Sequence, residues 1–260
     1  MDYLEEYYSN YNEEGRLLSN HGQVEYLTTM KYIHELLGEN KEKKLVEIGA
    51  GTGRYSVTLA KEGYSVDAVE LTNHNLQILR SKLDGTENIR TYQGNALELS
   101  QFQNESFDLT LVLGPMYHLY SEEDKIQALK EAVRITKAGG HICVAYCMND
   151  SVLIQEAFIR GNVKELLANH MITADFHCIS KPEDLFEMVR VEDIYRLTNN
   201  LPVEREKLIA TDGATNYMRE IIDGMDEETF ALWMKYHLAT CERMDLIGAT
   251  NHSLDILKKE

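Results

Sequence analysis

The chain has 260 residues, 43% of them hydrophobic and 27% charged, a balance that can bury one sizeable core. No apolar run approaches the roughly 20 residues that span a bilayer, which excludes a transmembrane helix. A formal net charge of −17 counts against a nucleic-acid partner, because such binding draws its affinity from clustered Lys and Arg.

The opening Met1-Asp2-Tyr3-Leu4-Glu5-Glu6 is acidic and lacks the apolar stretch of an export signal, so a cytoplasmic protein is expected. Four scattered cysteines, Cys143, Cys147, Cys178 and Cys241, are too few for a disulfide framework. Cys143 and Cys147 share a face if their run is a strand. A thiol pair or soft-metal site is one reading, and two small buried hydrophobes is the favoured one. No metal is expected.

Taken in chain order, the first 15 residues are rich in Tyr, Asn and Glu with no clean period, and read as a loose helix or a segment that orders on ligand binding. Asn20 with Gln23 resembles a capping box. Tyr26, Leu27, Met30, Ile33, Leu36 and Leu37 then recur at helical spacing until Gly38. Between Lys44 and Gly140 strands and helices alternate: strands at 45–48, 65–69, 89–92 and 107–113, helices at 54–62 and 73–83. Such alternation predicts right-handed βαβ units around a parallel sheet. Ser121 is placed to cap a further helix, with Asp124 in its third position, and Lys137-Ala138-Gly139-Gly140 reads as its stop. Residues 141–147 read as a fifth strand. Beyond Asp150 the pattern predicts long helices at 151–170, 182–198 and 216–247, with short strands near 206–210 and 253–257 completing the sheet. The expected division is a lid and helix over 1–38, an α/β core over 39–150, and a helical cap plus two strands over 151–260.

The most informative stretch is Val46-Glu47-Ile48-Gly49-Ala50-Gly51-Thr52-Gly53-Arg54, an apolar strand running into a glycine turn that opens a helix. Glycines there let the backbone turn tightly against a ligand, and the helix N-terminus offers free N–H groups. A dinucleotide-binding turn wants G-x-G-x-x-G, but position 54 is Arg and the third glycine falls one residue early. Glu70, ending the next strand, stands where a carboxylate can accept from ribose hydroxyls. Gly94-Asn95-Ala96-Leu97 follows the third strand, and Leu113-Gly114-Pro115-Met116-Tyr117-His118-Leu119 follows the fourth.

An acidic residue followed by G-x-G-x-G resembles the first motif of class I S-adenosylmethionine-dependent methyltransferases. Gly94 to Leu97 is similar to that family's adenine-bordering G-D-A-x-x-L segment, with Asn in place of Asp. The run 113–119 looks like the G-P-L-Y-H-L tip of small-molecule enzymes related to ubiquinone and menaquinone biosynthesis. The resemblance implies a Rossmann-like fold, a seven-stranded mostly parallel sheet with helices on both faces and a helical cap. It implies S-adenosylmethionine as cofactor and a small-molecule methyl acceptor as partner, with no nucleic acid and no membrane. It carries cofactor contacts onto Glu47, Gly49, Ala50, Gly51 and Gly53 of the glycine turn, Glu70 and Leu71 at the second strand tip, Asn95 and Ala96, and Leu113 and Gly114. Tyr117 and His118 are the expected catalytic pair, with a structural role the alternative for His118. Arg16, beside the segment 22–25, is expected at the cofactor carboxylate, a surface arginine being the other reading. The segments 175–177 and 182–185 echo cap residues over the pocket. Rival readings are a non-catalytic S-adenosylmethionine-binding protein, a nicotinamide oxidoreductase, which the early third glycine disfavours, and an RNA methyltransferase, which the charge disfavours.

Overall fold

The structure, a computed structural model, describes residues 2–11 and 13–260, apart from the side chains of Asp2, Glu13 and Glu14; Met1 and Asn12, in the expected lid, lie outside the described residues. Helices α1 (Asp2–Asn10), α2 (Glu13–Arg16) and α3 (Asn20–Leu37) lead into β1 (Lys44–Ile48), α4 (Arg54–Lys61), β2 (Ser65–Glu70), α5 (Asn73–Ser81), β3 (Ile89–Gln93) and β4 (Phe107–Val112). Then come α6 (Glu122–Ile135), β5 (Thr136–Met148), α7 (Asn149–Leu153), α8 (Val163–Ala168), β6 (Met188–Val189), α9 (Val191–Thr198) and β7 (Val203–Ala210). The chain finishes with α10 (Arg219–Asp223), α11 (Glu227–Thr240), α12 (Met244–Ile247) and β8 (His252–Lys259).

The sheet order is β3-β2-β1-β4-β5-β8-β7, with β6 pairing the end of β5. Strands β1 to β5 are parallel, and β8 pairs antiparallel with β5 and β7. This is an open Rossmann-like sheet. Its strands alternate between two cores. Val46, Ile142 and Val144 face the side covered by Leu129 and Ala132 of α6 and Ile194 and Leu197 of α9. Leu45, Leu111 and Cys143 face Ile33 and Leu37 of α3 and Leu59 of α4. Burial on both faces explains why Leu45, Val46 and Ile48 of β1 are apolar whichever core they face, rather than alternating with polar residues. All five parallel strands end at one edge, and the order reverses between β1 and β4, the switch point at which such sheets bind ligands.

Several sequence expectations change. The cap of α3 is Ser19, whose hydroxyl accepts from Gly22 N, so Asn20 is already helical and Gln23 reaches back to the Leu17 carbonyl. Helix α6 starts as expected, with Ser121 Oγ accepting from Asp124 N at 3.1 Å, but it ends at Ile135, before Lys137. Gly139 and Gly140 belong to β5: Gly139 has φ +73° and a Cβ on Gly140 would sit 2.9 Å from the Asp108 carbonyl oxygen. They serve the register shift between β4 and β5, not a helix cap.

The three long helices are all broken. A π-helical turn at Ile154–Ile159 and Gly161 at φ +78° split 151–170. The segment from Pro182 makes one 3-10 turn, then a left-handed Leu185 (φ +69°) and β6 before α9 begins. A fresh cap at Asp226, accepting from Thr229 N at 2.8 Å, starts α11. That helix carries Trp233, the only tryptophan, which donates from Nε1 to Thr215 Oγ1 at 3.2 Å. No helix among the described residues is long and apolar enough to cross a membrane.

Candidate active site

The tips of β1, β2 and β4 and the loop after β3 enclose a cleft of about 310 Å³. Of the expected residues, Gly49, Gly51, Glu70, Leu71, Asn95 and Ala96 line it, together with Gly114, Tyr117 and His118. Two loops meet backbone to backbone at its base. Gly49 has φ +75°, and a Cβ there would lie 2.7 Å from Pro115 Cδ and 3.0 Å from Gly114 Cα. A Cβ on Gly114 would lie 2.7 Å from the Gly49 carbonyl oxygen. Neither position has room for a side chain, and Gly49 also needs the left-handed conformation that glycine adopts without cost. Gly53 does not line the cleft. It precedes α4 at φ +83°, and a Cβ there would lie 2.7 Å from Leu79 Cγ of α5.

Glu70 clamps the cleft wall. Its Oε2 accepts from Gly51 N at 2.8 Å, and its Oε1 accepts from the backbone N and the hydroxyl of Thr72 at 2.8 and 2.7 Å. A carboxylate offers about four lone-pair sites, so acceptor capacity remains on this wall. Asn95 Oδ1 accepts from Leu97 N at 3.0 Å, a turn that commits its oxygen and leaves the amide group as donor. Glu47, Ala50, Leu113 and Arg16 line a small adjoining recess with Gly49 and Gly51. Burial pushes the Glu47 carboxyl up to about 8, although Ser56 donates to it from its backbone N at 2.9 Å.

His118 ends a single 3-10 turn (Met116–His118) after β4. Its Nδ1 lies 2.8 Å from the Leu185 carbonyl oxygen, which can only accept, so Nδ1 carries the proton and Nε2 the lone pair. The Tyr8 hydroxyl, from α1, lies 2.9 Å from Nε2 and donates to it. Burial pulls the imidazole down to about 4, so it is neutral at physiological pH. The Leu185 carbonyl also accepts from the Tyr120 hydroxyl at 2.9 Å. Its left-handed backbone is a strained geometry for leucine, held by these two donors. Tyr117 donates its hydroxyl back to the Leu113 carbonyl at 2.9 Å, leaving its ring beside His118 with centroids 4.8 Å apart.

A second, polar chamber of about 580 Å³ shares Tyr8 and Tyr117 with the cleft. One wall is aromatic, with Tyr7, Tyr11 and Phe186; the other carries Arg16, Glu25 and His252. Arg16 forks onto Glu25 at 2.8 and 3.2 Å. Glu25 Oε2 lies 3.5 Å from His252 Nδ1, which bonds Asp212 Oδ2 at 2.7 Å. Burial opposes charge on His252, but Glu25 and Asp212 hold it protonated, well above its ordinary range. Glu25, Asp212 and His252 have ligand atoms within 4.8 Å of one another. Arg16 already occupies the Glu25 carboxylate, however, and the result is a chain of alternating charges.

Sequence reasoning missed this chain and the Leu185 carbonyl. Arg16 and Glu25 fell in or beside a segment that drew notice and Leu185 closed another, whereas Asp212 and His252 sit at or beside strand ends with no local signature. Of the cap segments, Pro182 reaches the cleft, whereas the Asp175 and Phe176 carbonyls accept from Arg190 at 3.0 and 2.8 Å.

Residues 46–144 match the methyltransferase domain family. A demethylmenaquinone methyltransferase of Staphylococcus aureus (strain MRSA252) is 29% identical over 115 residues, 43% of this chain and 46% of that protein; the chain spans about half the length of the curated relatives it matches. A SAM-dependent methyltransferase from Thermotoga maritima superposes with TM-score 0.59 at 19% identity, covering 100% of this chain and 99% of that one. Geranyl diphosphate C-methyltransferase from Streptomyces coelicolor A3(2) superposes with TM-score 0.57 at 13% identity, covering 90% and 79%. The matched stretch, similar to the methyltransferase domain family, is the one that builds the glycine turn and the first four strand tips.

Proposed function

We propose that the chain binds S-adenosylmethionine in the cleft and transfers its methyl group to a small polar acceptor held in the adjoining chamber. The observation that carries this reading is the meeting of two cavities of different chemistry at Tyr8 and Tyr117, with His118 on the cleft side. Glu70 and Leu71 would take the ribose and Asn95 and Ala96 border the adenine. Gly49, Gly51 and Gly114 admit the methionine end through their missing side chains. Its charged terminus lies toward the recess of Arg16, Glu47, Ala50 and Leu113, and Gly53 acts one step back by seating α4. The polar wall of the chamber supports a compact hydrophilic acceptor over a long apolar one, and the four free cysteines support a reducing, cytoplasmic setting.

When bound, the cofactor supplies an electrophilic methyl group on a sulfonium. The protein's part is orientation and proton handling, and holding two reactants collinear and close contributes up to about 7 to 11 kcal/mol in well-oriented systems. Tyr117 and Phe186 exclude water from the junction and offer ring faces to a cation. His118, neutral and with Nδ1 fixed on Leu185, presents Nε2 as the proton acceptor, reached through the Tyr8 hydroxyl. A buried imidazolium is unfavourable, so the proton passes to bulk water when the product leaves and the site opens.

Thermal shift tests the cofactor half. S-adenosylhomocysteine and S-adenosylmethionine should raise the melting temperature by binding the folded state alone, and NAD should not. The reverse preference would overturn the reading. A methyl-transfer screen of amines, thiols, hydroxyls and carboxylates then tests the acceptor half, and turnover confined to long apolar acceptors would overturn the chamber assignment.

A further inference from the structure

Helix α1 lies against α5, and one carboxylate joins the two. Glu5 Oε2 accepts from Asn73 N at 3.0 Å, and Glu5 Oε1 from His74 N at 3.1 Å. These are the first two amides of α5, which have no partner inside their own helix. Thr72 precedes them in the capping position with extended backbone, yet its side chain makes no cap bond, because its hydroxyl is drawn to Glu70. The cap that α5 lacks locally is supplied by α1.

The same α1 face reaches the site. Glu5 and Tyr8 are three residues apart and share one side of the helix. Tyr8 donates to His118 Nε2, and Tyr3, Leu4 and Tyr8 line the cleft. We infer that Glu5 is a positioning residue, a latch that fixes α1 over the cleft by capping α5 from outside and so holds Tyr8 on His118. The inference deepens the cofactor reading above and rests on it for the ligand used in its test. A carboxylate on two helix N-terminal amides is favoured by both its charge and the helix dipole. One such contact can therefore order a helix that buries little apolar surface.

The latch can be cut from either side. Glu5→Ala removes the acceptor, and Glu5→Gln keeps an oxygen without the charge. Asn73→Pro deletes one donor amide, and proline is tolerated at the first position of a helix, here after a residue whose φ of −82° and ψ of 133° suit it. S-adenosylhomocysteine release is followed by rapid dilution, and opening of α1 by the rate of limited proteolysis within residues 2–16, which needs no ligand. Glu5→Ala should speed release on the order of tenfold or more, the scale of losing charge-assisted hydrogen bonds. It should also speed cleavage, with the melting temperature near that of the parent. Asn73→Pro and Glu5→Gln should fall between, and the Glu5→Ala, Asn73→Pro double variant should match Glu5→Ala alone. Cleavage of both single variants at the parent's rate, or additive effects in the double variant, overturns the latch. A parent that binds no S-adenosylhomocysteine but shows the proteolysis pattern overturns the cofactor reading and leaves the latch standing.

Discussion

The cleft has two walls built by different means. The strand-tip wall is built on close backbone: Gly49 packs on Gly114, and the Gly51 amide is held by the Glu70 carboxylate. The lid wall is side chains joined by single hydrogen bonds, Tyr8 to His118 and His118 to a strained Leu185 carbonyl. The first is fixed by sterics and the second by a few polar contacts. Substitutions should therefore act differently: through cofactor affinity and fold on the first wall, and on the second through turnover at His118 and through cofactor release where α1 is loosened.

The largest expected effect is at the steric contact. Gly49→Ala adds a Cβ where 2.7 Å separates it from Pro115 Cδ, at φ +75°, and should lower S-adenosylhomocysteine affinity by about 10²-fold or more in calorimetry, in line with the cost of strain and overpacking. An affinity like the parent's would break the distinction. On the other wall, His118→Ala should lower turnover by about 10²-fold while cofactor affinity stays near that of the parent. The same residue sets an acid limit. The folded imidazole titrates near 4 against 6.5 for a free one, so the unfolded chain binds more protons between those values and stability falls as pH drops through them. Melting curves from neutral to acid pH should show a shallower decline in His118→Asn than in the parent, and an equal slope would sink that account.

Glu70→Ala should weaken cofactor binding by about 1 to 3 kcal/mol, since it leaves the Gly51 and Thr72 donors unpaired on the wall. Unchanged affinity would move the ribose elsewhere. The smallest effect belongs to Leu185→Gly. Relief of left-handed strain there is offset by unfolded-state entropy and lost side-chain contact, so chemical denaturation should show a change within about 1 kcal/mol. A loss well beyond that would mean that the leucine side chain, not its carbonyl, fixes the segment.

The same division decided what could be read from sequence. The strand-tip wall was legible because its parts are local: an apolar run, glycines at fixed spacing, an acid ending the next strand. Even there one local signal misled. Lys137 to Gly140 has the composition of a helix stop, and the need for β5 to pass close to Asp108 claimed those glycines instead. The cap defeated periodicity because, apart from Gly161 and the Asp226 cap, its breaks carry no dedicated residue. Leu185 and Phe176 take a left-handed backbone that their types disfavour, and a π-helical turn interrupts an otherwise continuous helical pattern. The chamber's charge chain joins Glu25, Asp212 and His252, residues that only the folded sheet brings together. His118 was found from its motif, whereas its partners came from the lid and the cap.

Trp233, bonded to Thr215, gives the molecule an optical asymmetry. Thr215 is followed by Asn216, which lines the polar chamber. Excited at the red edge of indole absorption, the protein emits from one place, beside that chamber. A titration that moves this emission therefore reports events at the chamber, and ligand binding there can be followed without a label.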